Sequence, residues 1–213
     1  MPRPAAPIPP HADLIKLYRA ALANAHDLAD DASLLAANGR YSRAYALATL
    51  AWEELSKAHQ CITAVILPSY TPDDFWRTFG DHQPKLARAH AIDSFLENQL
   101  FPNAKLSNSE AKQINELKER ALYIGYKHGR ILQPNIGQQK CLAHVKSTIE
   151  SVKRQEELFT DYPDDASFLD YLQNFGRALQ SIQPRITELA QTQDVRHQDD
   201  IIRLMREAFL IED

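Results

Sequence analysis

Three short stretches of the chain carry the residue types of acid–base and phosphate chemistry. The first is Glu53-Glu54-Leu-Ser-Lys57, inside the alanine-rich run from Gly39 to Ala58. Counting an apolar seam from Ala44 in alternating steps of three and four gives Leu47, Ala51, Glu54, Ala58, Cys61 and Val65. Glu54 therefore falls among small apolar residues, where a carboxylate is costly unless it meets a cation or a hydrogen-bond donor. Glu53 has Lys57 at the favourable i, i+4 spacing, which leaves Glu54 to find its partner on another helix. Two readings stay open at this point: a buried ion pair that fixes helix register, and a functional polar pocket.

The second stretch is Arg77-Thr-Phe-Gly-Asp-His82-Gln-Pro-Lys85. A helix starting at His82 holds that imidazole in its first turn, where the dipole favours the neutral ring, a proton acceptor. Lys85 follows one turn on, and Arg77 precedes the break at Gly80. Two cations beside a neutral histidine suit a phosphodiester: Arg and Lys hold the phosphate while the histidine moves a proton. The third stretch, Glu119-Arg120-Ala-Leu-Tyr123, sets Arg120 and Tyr123 one turn apart. Arg120 is the natural counter-ion for Glu54 if their helices touch.

The elements that must position these groups read as helices. Leu14, Leu17, Ala21, Ala25, Leu28, Ala32 and Leu35 form a seven-residue apolar repeat over about residues 12–37, ended by Asn38-Gly39. A second helix spans about 41–67 and stops at Pro68, and the two alanine seams predict a close antiparallel hairpin. Thr71-Pro72-Asp73-Asp74 is a cap and first turn for a short helix carrying Phe75, Trp76 and Phe79. Asp81 caps a helix over about 82–100, and Ser107 to Glu110 is a capping box opening another over about 109–128, with Ile114, Leu117, Ala121 and Ile124 inward. Residues 129–137 read as a loop. Helices are expected over about 138–160, 165–192 and 197–211, with Pro184 breaking or kinking the second.

Composition agrees. Six glycines in 213 residues, abundant Ala and Leu, and few β-branched runs predict an all-α protein. The organisation expected is a disordered proline-rich N-terminus over 1–11, a helical core over 12–137, and C-terminal helices packed on it over 138–213. No apolar run reaches the length of a membrane span, and MPRPAAPIPP lacks the apolar core of a secretory signal. Cys61 and Cys141 sit in helical patterns as small core residues, which fits a reduced, cytoplasmic protein. The net charge of −4 is unevenly spread. Residues 1–76 carry −2, residues 77–154 carry +6 and residues 155–213 carry −8. A basic middle could meet a polyanion, and the acidic end could mask it; solvated faces of uneven sign are the plainer explanation.

Other chemistries lack their residues. There is no Glu-x-x-His for a di-iron bundle, no Cys-x-x-Cys, no His-Glu-x-x-His and no glycine-rich phosphate loop, so no metal site and no cofactor is expected. Asp194-x-x-His197 reads as a cap, and His90, His128 and His144 as isolated surface residues.

Taken in order, Glu-Glu-x-x-Lys at 53–57, His-x-x-Lys at 82–85, and Leu-Tyr at 122–123 followed by Gly129 and Pro134 resemble the AbiV abortive-infection proteins, part of the HEPN group of helical bundles. The resemblance covers roughly residues 12–137 and departs at Ser56, where the family is expected to carry glycine. It implies a HEPN-like antiparallel bundle that dimerises across a shared groove. It further implies a metal-independent ribonuclease marked by Arg, four to six residues, then His, with the RNA 2′-hydroxyl as nucleophile. Arg77-x4-His82 and Arg19-x6-His26 both have that spacing. The first is preferred because His82 also belongs to His-x-x-Lys, and Arg19 and His26 are expected on a helix surface.

The expectation is therefore an antiphage protein that cleaves RNA and shuts down translation, with His82, Lys85, Arg77 and Glu54 catalytic. Glu53, Lys57, Arg120 and Tyr123 complete the polar cluster. The alternative is a non-enzymatic protein that binds a phage or host protein through some other surface, the cluster being a structural lock. Expected partners are RNA or such a protein, and a second copy of the chain, with no membrane.

Overall fold

The computed structural model describes residues 6–80, 108–127, 130–157, 160–162 and 164–191. Helix α1 (His11–Ala37) and helix α2 (Tyr41–Ile66) form the expected hairpin. Gly39 makes the turn with φ of +71°, a left-handed conformation that only glycine adopts freely. Ala21, Ala25, Ala29, Ala32 and Ala36 of α1 are buried with Ala44, Ala48, Ala51 and Ala58 of α2. Small side chains on both surfaces let the two helices pack along their whole length.

Helix α2 is buried on nearly every side, because α1, α3 (Pro72–Gly80), α4 (Asn108–Leu122), α5 (Gln138–Glu157) and α6 (Asp165–Gln191) all pack against it. The protein is thus an all-α bundle built around one central helix. Thr71 caps α3 as expected, accepting the Asp74 N–H at 3.1 Å. Asp164 caps α6 by accepting the Ser167 N–H at 2.8 Å, and that bond holds its carboxyl below the usual range. Among the described residues, no helix is long and apolar enough to cross a membrane.

Four differences from expectation bear on the candidate site and its surroundings. Residues 6–10 are not a free tail: Ile8 packs on the core, and the Ala6 carbonyl accepts the Trp76 indole N–H at 2.6 Å. The helix expected to 128 ends at Leu122, and the chain then forms an antiparallel ribbon of β1 (Gly125–Lys127) and β2 (Arg130–Leu132). Tyr-Ile-Gly-Tyr favours extended backbone, and two residues, His128 and Gly129, separate the strands. Ile124, expected inward, is 68% exposed as a result. Helix α6 is not broken at Pro184 but runs on to Gln191. Finally, α5 is integral to the core, with Cys141, Val145 and Val152 buried against α1, α2 and α4. The expected helices over 82–100 and 197–211 lie outside the described residues.

Candidate functional site

The two glutamates of α2 exchange the roles read from the sequence. Glu53 is the buried one. Its Oε1 lies 2.5 Å from Lys118 Nζ of α4, and the two side chains are 4% and 7% exposed. Glu54 lies at the margin and pairs with Lys57 on its own helix, at i, i+3. So Glu53 does not pair with Lys57, and Glu54 does not meet Arg120. Residues 118 and 120 differ by about 200° around a helix. With Lys118 turned to α2, Arg120 is exposed, and Tyr123, beyond the helix end, is 67% exposed.

Glu53 belongs to a second buried row of α2 that the apolar count misses. Thr49, Glu53, Ser56 and Gln60, in steps of four, three and four, are all buried. A helix enclosed on several sides has more than one inward seam. Thr49, Glu53 and Gln60 of this row reach neighbouring helices through hydrogen bonds, whereas Ser56 Oγ makes none among the described residues. Thr49 Oγ1 donates to the Tyr45 carbonyl at 2.9 Å, which leaves His144 Nε2–H to donate to that hydroxyl at 3.0 Å. His144 also packs its ring against Tyr45, tilted by 31° with 4.4 Å between ring centroids, so it is not an isolated surface residue. Beside the row, His59 Nε2 meets Gln155 Oε1 at 2.7 Å, and Gln155 Nε2 reaches Tyr18 Oη at 3.4 Å, joining α2, α5 and α1. Burial pushes the Tyr18 phenol up to about 12.

Gln60 fixes α3. Its amide donates to the Phe75 carbonyl at 2.7 Å and to Tyr70 Oη at 3.0 Å. Phe75 is fully buried, between Trp76 and Phe79. Lys57 Nζ sits 5.9 Å from the centre of the Phe79 ring, so the Glu54–Lys57 pair lies against the last turn of α3. Arg77, on the same short helix, is 68% exposed and bonded to Asp74 at 2.8 Å. A guanidinium tied to one exposed carboxylate exchanges that partner for a phosphate at little cost. His82 and Lys85 lie outside the described residues, beginning two positions beyond the end of α3. The structure therefore gathers Glu54, Lys57 and the helix bearing Arg77; it seals Glu53 away with Lys118, and it sets Arg120 and Tyr123 apart.

The second Arg-x6-His pair lies on the α1 surface, as expected. Arg19 Nε meets Asp165 at 2.6 Å and its Nη2 donates to the Tyr162 carbonyl at 3.0 Å. His26 Nδ1 meets Glu156 at 2.8 Å. That hydrogen bond raises the imidazole pKa above its ordinary 6.5. A groove of about 340 Å³ runs between them, with Tyr18, Leu22 and Thr160 in its walls. The acidic end of the chain, to the extent described, thus sends Glu156 and Asp165 to α1. The two cysteines are buried and unpaired, and burial pushes the Cys61 thiol up to about 12, which removes it as a nucleophile.

The HEPN_AbiV family model, described as AbiV, matches residues 13–151. The match runs past residue 137 into α5, in keeping with the place of that helix in the core. No curated protein and no solved structure matches the chain.

Proposed function

Because the chain belongs to the AbiV family of HEPN-type abortive-infection proteins, we propose that it is a toxin-like antiphage protein that cleaves RNA as a cytoplasmic homodimer and halts translation. The RNA 2′-hydroxyl attacks the adjacent phosphorus and gives its proton to His82. The bond to the 5′-oxygen breaks, that oxygen takes a proton from solvent water, and a 2′,3′-cyclic phosphate remains. Arg77 and Lys85 hold the phosphate and offset the charge that builds on it. Glu54 acts at one remove, holding Lys57 against the end of α3.

The observation that carries this reading is the setting of Arg77. It is open to solvent on a short helix whose backbone is pinned from below by Gln60. An exposed cation on a fixed support is what binding a polyanion asks for. The sealed Glu53–Lys118 pair favours a second reading, in which the cluster is a lock and the protein works by binding a phage or host protein. Arg77→Ala and His82→Ala, tested in cells for phage resistance and for soluble yield, separate the two. Loss of resistance at normal yield supports cleavage, and full resistance in both variants supports the binding protein.

A further inference from the structure

Residues 6–10, Ala-Pro-Ile-Pro-Pro, are held extended by their covalent chemistry before any partner is met. The rings of Pro7, Pro9 and Pro10 fix φ at about −65°, and a following proline restricts Ala6, Ile8 and Pro9 to extended backbone. Pro10 lies in the polyproline basin, with φ of −54° and ψ of 148°. A polyproline helix has about three residues per turn, so Pro7 and Pro10 share one edge. Both are exposed, whereas Ile8 and Pro9 are half-buried, the pattern of such a helix laid on a surface. Its prolines have no N–H, so what the strap offers a partner is chiefly carbonyl oxygens.

The surface beneath supplies the matching chemistry. Trp76 of α3 is half-buried and donates its indole N–H to the Ala6 carbonyl at 2.6 Å. An indole is a donor only, so a segment rich in carbonyls suits it. Its ring stands edge-on to Phe75, with 4.9 Å between centroids, and to Phe79, with 5.9 Å. Ile8, Trp76 and Phe79 pack on one apolar cluster with Leu14 and Phe75. Gln60 bonds the Phe75 carbonyl of the same helix, so the indole is presented on a fixed support. An aromatic donor beside an apolar seat is a recurring means of recognising polyproline segments.

We propose that the Trp76 face of α3 is a docking site for a proline-rich extended segment. In this chain its own residues 6–10 fill the site, and they exchange with such a segment of another protein. Among the described residues, the strap is attached by the Trp76 bond and by the half-buried Ile8 and Pro9. So few contacts place its opening at the low end of local stability. The Pro10 carbonyl accepts the Asp13 and Leu14 N–H groups at 2.9 and 3.0 Å, so residues 6–9 lift away without unwinding α1. Arg77 adjoins Trp76, and the occupant therefore bears on the helix that holds the proposed phosphate contact. Docking itself does not depend on RNA cleavage.

Indole N–H resonances of the full chain test the site; there are two, from Trp52 and Trp76. Ile8→Asp is expected to shift the Trp76 signal and speed its exchange with solvent, with helical circular dichroism unchanged. Pro7→Gly combined with Pro9→Gly, which frees the backbone without placing a charge on the core, is expected to do the same. A peptide of residues 1–10, added to either variant, is expected to return the signal toward its wild-type position. By the anisotropy of a labelled peptide, wild type is expected to bind about 10-fold more weakly than the variants, because its site is already filled. Trp76→Phe, added to Ile8→Asp, is expected to weaken binding about 3- to 10-fold, the worth of one hydrogen bond. A Trp76 signal identical in wild type and both variants overturns the site. So does a failure of both variants to bind millimolar peptide, or equal binding of a peptide with glycine in place of Pro7, Pro9 and Pro10.

Discussion

Replacing Lys118 by methionine is expected to destabilise the protein by about 3–5 kcal/mol, because it takes from the buried Glu53 carboxylate the cation that lies 2.5 Å from it. The N–O separation is 2.5 Å with both side chains under a tenth exposed. At an effective dielectric of about 20, that separation gives roughly 7 kcal/mol of attraction. Taking both ions out of water costs several kcal/mol each, so the intact pair is near break-even against an apolar pair. The loss falls on the half-pair. In a chain of this length it lowers Tm by about 10 °C. Urea unfolding followed by Trp fluorescence reads it directly, since Trp52 is buried beside Glu53 on α2. Glu53→Gln is expected to cost a similar amount. The double variant Glu53→Leu with Lys118→Met is expected to recover most of the loss, giving a large coupling in the mutant cycle. Single-variant costs below about 1 kcal/mol, the range of exposed pairs, would refute the reasoning, as would a double variant as unstable as the two losses combined.

Other expectations rest on close contacts. Gly176→Ala is expected to destabilise, although alanine in a helix ordinarily gains about 1 kcal/mol over glycine, because its Cβ would stand 2.6 Å from the Ile66 carbonyl oxygen where α6 crosses α2. A Tm equal to or above wild type would contradict that close approach. His26 has a raised folded pKa, so its bond to Glu156 stabilises below the unfolded value of 6.5 and fades as pH rises through the folded value. His26→Gln is therefore expected to lower Tm at about pH 5.5 and to approach wild type at about pH 8.5; an equal deficit at both pH values would exclude linkage. Gln60→Leu is expected to cost about 1–3 kcal/mol by stripping a donor from the buried Phe75 carbonyl. It is also expected to raise amide exchange across α3 before the rest of the bundle, and uniform exchange would show that α3 is held by its aromatic residues alone.

Those parts of the fold written in local chemistry were legible in the sequence. Asn38-Gly39 ends α1, Pro68 follows α2 and Thr71-Pro72 opens α3, each by a preference that needs no distant partner. The register of α2 was not. Counting one apolar seam places Glu54 inward, whereas a helix enclosed by five others buries a second row through Thr49, Glu53, Ser56 and Gln60. Lys118 looked like any exposed lysine, since only the approach of α4 to α2 makes it a counter-ion. The ribbon was missed because the helix-forming run Glu116–Ala121 reads on into Tyr123-Ile124, and the strand signal is only three residues long. The uneven charge was plain in composition. Which groups it pairs was not, since Glu156 and Asp165 go to α1.

Cleavage itself is the most direct test. Purified wild type, Arg77→Ala and His82→Ala are incubated with total RNA and with tRNA in EDTA, and the fragment ends are mapped. Cutting by wild type that leaves 2′,3′-cyclic phosphate, lost in both variants while their Tm stays at the wild-type value, is the predicted result. RNA left whole by a folded wild-type dimer, or cut equally by His82→Ala, would contradict it.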